Sequence, residues 1–275
     1  MKNTIKTFTL FVRPDKKSNE IADTIRNLNS IAKSPLQETD NGDLVIAIGG
    51  DGTFIDAVTS SGFSKSKVYV GVHTGTLGFM QNLSPDEVIT LVKDFIYEED
   101  IKTRKMLVSS VDVNLTNGDI LNYNSLNEVL VAGTNYSKIS FSEYVNDELL
   151  QNVSGNGIIV ATNTGDTAYS MNAGGAIDFS NNFQLVCTLL TPISNAVYEN
   201  FITNPIICSK VTIVPKSSNN ISIIIDGIPK DIKSEEIKSI DISMHDSSSY
   251  INKFELETYS KTNIIRKKIL GYDFN

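Results

Sequence analysis

Two periods of apolar and polar positions run along this chain, and the change from one to the other falls near residue 105. In the first third, short apolar runs alternate with helical spacing. Thr7–Val12 (TFTLFV), residues 44–48 (LVIAI) and Val68–His73 (VYVGVH) read as buried strands. Between the first two, residues 18–33 set Ile21, Ile25, Leu28 and Ile31 on one face, which predicts a helix with Ser18 as N-cap and Glu20 near it. Residues 53–61 (TFIDAVTSS) predict a short helix. Residues 84–97 predict another, in which Ser84 caps, Pro85 takes the first position, and Asp86 and Glu87 complement the dipole. Strands alternating with helices imply a parallel sheet covered on both faces.

From residue 106 to 257 the texture is different. Short alternating or β-branched runs recur (LVSSVDVNL, KISFSEYV, GIIVAT, KVTIVP, ISIIID, SIDISM), separated by turn signals such as Asn117-Gly118 and Asn146-Asp147. The expected fold is therefore an α/β N-terminal domain with a parallel sheet, residues 1–104, plus a β-rich C-terminal domain, residues 105–257. The tail, 258–275, contains a helical and basic stretch, KTNIIRKKILGY, expected to pack back on the first domain.

Composition narrows the function. The 275 residues suffice for a large core, with 40% apolar and 20% charged positions. The net charge of −8 disfavours DNA or an anionic membrane as the main partner, since both require a basic footprint. Cys187 and Cys208 are the only cysteines and His73 and His245 the only histidines, none in a CxxC pair, so a zinc site is not expected. The N-terminus lacks the long apolar region of a signal peptide and no run is long enough to span a bilayer, so a soluble cytoplasmic protein is expected.

The chemistry concentrates after residue 48. Gly49-Gly50-Asp51-Gly52-Thr53 follows an apolar strand directly. Glycines let the chain turn off the strand and press its N–H groups against a ligand, and the positive end of the following helix points at the same place, which makes an anion site suited to phosphates. A carboxylate repels phosphate, so Asp51 implies work on a neighbouring group: accepting a proton from an attacking hydroxyl, or holding a metal that bridges phosphates. The plainer alternative is that Asp51 caps a helix starting at Thr53. The loop is neither a Walker A sequence nor GxGxxG. A second glycine-bearing turn, GVHTGTLGF (71–79), also follows a strand, and ligands of open α/β sheets bind at such strand ends. His73 has no carboxylate beside it in sequence and reads as structural.

The β-rich half adds two polar clusters. Asn127-Glu128 stands inside an apolar strand, where a carboxylate needs either ligand hydroxyls or a structural bond. Residues 154–175 (SGNGIIVATNTGDTAYSMNAGG) combine a strand, a loop of hydroxyl and amide residues, Tyr169, and Gly174-Gly175. Such a loop suits hydrogen bonding and stacking to a nucleobase, or serves as a structural turn.

Taken together and in this order, GGDGTF (49–54), HTGTLGF (73–79), LNEV (126–129), GNGIIVATNTGDTAY (155–169) with AGG (173–175), and TPISNAVY…NPII (191–207) resemble the NAD kinase family, in particular the compact enzymes of Gram-positive bacteria. The resemblance implies transfer of the γ-phosphate of ATP, or of polyphosphate, to the 2′-hydroxyl of the adenosine ribose of NAD, giving NADP. It implies that Asp51 is the general base, that Gly49, Gly50, Gly52 and Thr53 cradle phosphates, and that Asn127 and Glu128 bind adenosine. Thr164, Thr167, Ala168 and Tyr169 would line the adenine pocket. Phe79, Asn156 and Asn172 are further NAD-binding positions, with Tyr198 and Asp226 near the nicotinamide end. It also implies Mg2+ with ATP, and a homodimer or homotetramer.

The chain departs from the family pattern at several places. Asn156 replaces an aspartate, Asn163 a proline, Asp166 a serine, Asn172 a serine and Thr76 a histidine. Asp166 is expected to add negative charge near a phosphate-bearing ligand. These departures motivate the alternative of a catalytically impaired dinucleotide-binding regulatory paralogue. A lipid kinase with a GGDG loop is a further alternative.

Overall fold

The computed structural model describes residues 4–75, 77–81, 83–97, 100–180, 182–193, 201–216, 220–244, 250–256 and 260–271. The chain divides into two compact units, Met1–Met106 with Tyr250–Asn275, and Leu107–Ser249.

The first unit opens with strand β1 (Thr7–Val12) and helix α1 (Lys16–Ser30). The helix starts ahead of the Ser18 expected to cap it. Asp15 caps instead, its carboxylate accepting from Ser18 N at 3.0 Å and Ser18 Oγ at 2.7 Å. A carboxylate three residues upstream meets the third free N–H of the helix, so Ser18 is drawn inside and buried. Strands β2 (Gln37–Glu38) and β3 (Leu44–Gly49) lead into helix α2 (Asp51–Ser60), and then comes β4 (Val68–His73). Helix α2 begins two residues before the expected Thr53, because Gly50 turns the chain directly from strand to helix and is itself the N-cap. Helix α3 (Val88–Tyr97) follows a 3-10 turn at Pro85–Glu87, where Glu87 reaches back to accept from Ser84 N at 2.7 Å. Strand β5 (Thr103–Leu107) closes this part of the chain.

The second unit is built of strands β6 (Ser109–Leu115), β7 (Ile120–Ser125), β8 (Glu128–Gly133), β9 (Ile139–Val145), β10 (Glu148–Gly155) and β11 (Gly157–Ala161). The short helix α4 (Tyr169–Asn172) comes next. Strands β12 (Leu185–Leu190), β13 (Ile206–Cys208), β14 (Lys210–Pro215), β15 (Ile221–Ile225), β16 (Ile228–Pro229) and β17 (Ile237–Ser243) complete it. The chain then returns to the first unit with β18 (Tyr250–Phe254) and helix α5 (Lys261–Lys268).

The sheet of the first unit has the order β2-β1-β3-β4-β18-β5, and β1–β2, β1–β3, β3–β4 and β4–β18 all pair in parallel. Every residue of β3 is buried, as expected of a central parallel strand. Its core joins Phe8, Ile46, Ile48 and Val70 to Ile21 and Ile25 of α1, Leu91 and Phe95 of α3, and Phe254 of β18. The second unit holds two antiparallel sheets, β10-β9-β14-β17-β6-β7 and β13-β12-β11-β8-β15-β16. Strands β6 and β14 alternate buried and half-exposed positions, the pattern of a sheet with one covered face, whereas β11 is buried throughout. Asn146 and Asp147 both take positive φ, as the hairpin between β9 and β10 requires. Among the described residues no helix is long and apolar enough to cross a membrane.

Candidate active site

In the first unit the site begins where β3 ends. Asp51 is the first residue of α2, yet it does not cap that helix. Its side chain turns away to a second loop, where Oδ2 accepts from Phe79 N at 3.0 Å and Oδ1 from Met80 N at 2.9 Å. The Lys268 ammonium lies 3.2 Å from the same Oδ2. The capping alternative for Asp51 is thereby replaced by a cross-loop anchor. Gly78 makes the approach feasible, because a Cβ there would overlap the carboxylate. The two glycine loops are fastened at other points too. Thr74 N donates to Gly49 O at 3.3 Å, the Gln81 side-chain amide donates to Gly50 O, and Arg13 Nη2 donates to Thr74 Oγ1 at 2.9 Å. Gly50 and Gly52 face open space, with nothing within 4 Å of where a Cβ would stand. His73 Nδ1 pairs with Gly75 O at 3.0 Å, in keeping with a structural histidine.

In the second unit the two polar clusters meet. Thr162, just past β11, donates through Oγ1 to Leu126 O at 2.6 Å and accepts from Thr164 N at 3.1 Å and Gly165 N at 3.2 Å. Its own N–H donates to Asn127 O at 2.8 Å. Gly165 lies so near the Asn127 carbonyl that a Cβ would overlap it. The 125–128 turn is held from its other side by Asp226. That carboxylate accepts from Ser125 Oγ at 2.8 Å, Leu126 N at 2.8 Å, Asn127 N at 2.7 Å and Glu128 N at 3.2 Å.

Held this way, Asn127 and Glu128 keep unused acceptors. Among the described residues, Asn127 Oδ1 and Glu128 Oε2 are buried and find no hydrogen-bond partner. Burial pushes the Glu128 carboxyl up to about 7, helped by the negative charge of Asp226. Burial likewise raises the Asp226 carboxyl above its ordinary value, against four hydrogen bonds that oppose the rise. A buried acceptor pair with no protein donor is the arrangement that ligand hydroxyl or amino groups satisfy.

The remaining expected residues fall as follows. Thr167 is buried and donates to Thr164 O at 3.3 Å, while Tyr169 is 46% exposed and so free to stack. Ala168 joins the 3-10 turn Gly165–Thr167 to α4. Asn172 is exposed, its amide donating to Ala168 O at 3.4 Å. Asn156 donates from Nδ2 to Tyr136 O at 2.8 Å, a bond that the aspartate of the family pattern could not make. Asp166 does not place charge toward a ligand: it is fully buried, and Oδ2 accepts from Asp178 N at 2.6 Å. A carboxylate after Gly165 can reach inward to that amide, which explains its burial. Phe79 lies in the second glycine loop, with its ring 4.2 Å from Lys268 Nζ. Tyr198 and Thr76 lie outside the described residues.

Several residues here were not singled out from the sequence: Lys268, Arg13, Gln81 and Thr162. For Lys268 the basic cluster at 266–268 was the available signal. Arg13 and Gln81 carry none, because their partners are remote in sequence, and Thr162 joins local amides to the equally remote Leu126 carbonyl.

Comparison with known proteins follows the same division. Residues 9–101 match the ATP-NAD kinase N-terminal domain family, and residues 126–251 match the ATP-NAD kinase C-terminal domain family. The chain is similar to the NAD kinase of Finegoldia magna, with 30% identity over 212 residues, 76% of this chain and 77% of that protein. It is similar to the NAD kinase of Chlorobaculum tepidum, with 33% identity over 237 residues, 83% of this chain and 77% of that one. Among solved structures, yeast NADH kinase complexed with NADH has a similar fold, with a TM-score of 0.81 over 98% of this chain and 89% of that chain; at 19% identity the likeness is one of fold.

Proposed function

Because the chain belongs to the NAD kinase family, we propose that it transfers the γ-phosphate of ATP, or the terminal phosphate of polyphosphate, to the 2′-hydroxyl of the adenosine ribose of NAD. The product is NADP. The observation that carries this reading is Asp51, a carboxylate set among glycines at a strand end and fixed by the amides of Phe79 and Met80. In the reaction Asp51 takes the proton of the 2′-hydroxyl as its oxygen attacks the γ-phosphorus. The bond from that phosphorus to the bridging oxygen breaks, and ADP leaves with the electron pair. Gly49, Gly50, Gly52 and Thr53 cradle the phosphates at the N-terminus of α2. Magnesium enters as part of the donor substrate, on its phosphates.

For the acceptor, Asn127 Oδ1 and Glu128 Oε2 supply the free buried acceptors that adenosine's donors fill. Thr164, Thr167, Ala168 and Tyr169 line the adenine, and Phe79, Asn156, Asn172 and Tyr198 extend the NAD site. Asp226 serves by holding the 125–128 turn. The working form is a homodimer or homotetramer, a size that light scattering of the purified protein measures.

The test is a coupled assay of NADP formation from NAD, ATP and magnesium, repeated with NADH. Asp51→Asn is expected to lower kcat by ~10²–10⁴-fold, the usual weight of a general base, with NAD binding retained. An unchanged rate removes Asp51 from the role of base. Wild-type protein that binds NAD without turnover is a regulatory paralogue instead.

A further inference from the structure

A phosphate cradle built from residues 49–54 contains backbone N–H groups and one carboxylate, but no cation. Phosphoryl-transfer sites need positive charge on the group in flight, because negative charge spreads over its equatorial oxygens. The structure brings such a charge from the other end of the chain. Helix α5 is capped by Ser260, which accepts from Asn263 N at 3.2 Å, and is anchored by the buried Ile265. Its last turn carries Arg266, Lys267 and Lys268, where cations suit the helix dipole. Of these, Lys268 reaches inward. Its Nζ lies 3.2 Å from Asp51 Oδ2 and 4.2 Å from the centre of the Phe79 ring, with the side chain 30% exposed. A donor this close to the expected base is within reach of any phosphate meeting a hydroxyl there.

A second group of charges belongs to the same unit. Lys253, almost fully buried in β18, and Arg104 in β5 both bind Glu255 Oε1, at 3.0 and 2.6 Å. Burial lowers the Lys253 amine to about 8, with the Arg104 charge adding to the fall, while the negative charges of Glu255 and Asp51 oppose it. These five side chains hold one more cation than carboxylate, before any ligand arrives.

Resting on the kinase reading above, we propose that Lys268 is a catalytic residue whose ammonium contacts the phosphate being transferred. In the free protein it pairs with Asp51. When the donor binds, it exchanges that partner for a phosphate oxygen. A partly exposed ion pair is easily given up, and a polyphosphate chain competes for the ammonium because it carries more negative charge and more acceptor oxygens than one carboxylate. The exchange also frees Asp51 Oδ2 for the hydroxyl proton, so one movement arms both groups.

The experiment compares Lys268→Met, Lys268→Arg and the control Lys267→Met, an exposed neighbour. Two quantities are read: kcat for NADP formation, and calorimetric affinity for inorganic triphosphate with magnesium. Lys268→Met is expected to lower kcat by ~10²-fold at unchanged KM for NAD, the usual loss for one donor to a transition-state charge. It is expected to weaken triphosphate binding roughly tenfold, the weight of one charge-assisted hydrogen bond. Lys268→Arg restores part of both, and Lys267→Met matches wild type. Unchanged kcat and triphosphate affinity in Lys268→Met overturn the proposal. So does a fall in kcat alone, which makes Lys268 a positioning residue for Asp51. If Lys268→Met does not fold, by circular dichroism, Lys268→Gln is read in the same way. A wild-type protein that makes no NADP refutes the kinase reading instead, and the triphosphate measurement still reads Lys268.

Discussion

Glu128 shows how far a single residue's environment can be turned into a measurement. Its carboxyl is held near 7, chiefly by burial and then by the charge of Asp226. A ligand hydroxyl or amino group that donates to the carboxylate favours the ionised form, so the complex binds fewer protons at this position than the free protein. NAD affinity is therefore expected to rise with pH up to about 7 and to level off above it. Glu128→Gln should flatten the profile, as titration calorimetry across that range would reveal. A wild-type affinity that falls with pH would mean that Glu128 binds as the neutral acid. Asn156 teaches a different lesson at this scale. As a departure from the family pattern it looks like a lost charge, whereas its Nδ2 donates to the Tyr136 carbonyl, a structural bond belonging to the amide alone.

At the scale of elements, the site is made by loops fastened to one another. In the first unit the 73–81 loop grips the Gly49-Gly50-Asp51 turn through Thr74, Phe79, Met80 and Gln81. In the second, the Asp226 carboxylate comes from the tight turn between β15 and β16 and fixes the 125–128 turn, and Thr162 ties that turn to the Gly165 turn. The seam between these two turns has no space for a methyl group at Gly165. Gly165→Ala is expected to destabilise the protein by roughly 1–3 kcal/mol through overpacking, and to raise KM for NAD as Asn127 is displaced. Thermal unfolding and steady-state kinetics check both, and wild-type values in both would remove this contact from the account.

For the whole molecule, the decisive feature is that the chain leaves the first unit after β5 and comes back to it at β18. Phe254 then packs on Phe95, with ring centres 4.9 Å apart, and Ile251 is fully buried. Phe254→Ala is expected to cost about 3–5 kcal/mol, the usual range for a buried phenylalanine. Chain ending at residue 249 lacks the whole strand, and its first unit is expected to lose cooperative unfolding in circular dichroism melts. A full-length-like transition in the truncated chain would show that the returning strand is dispensable.

Local signals carried much of this. Apolar runs announced β1, β3 and β4, helical spacing announced α1, the start signals Ser84-Pro85-Asp86-Glu87 announced the segment of α3, and Asn146-Asp147 announced a hairpin, because period, capping and turn chemistry are properties of neighbouring residues. The motifs that identify the family were legible for the same reason. What neighbours do not determine, the fold decided. Ser18 gave way to Asp15 as cap, since the choice depends on which side chain reaches the free amide. Asp166 turned inward because the amide of Asp178 waits there. The partners of Asp51 come from Phe79, Met80 and Lys268, far along the chain, and only long-range packing sets them within hydrogen-bond distance.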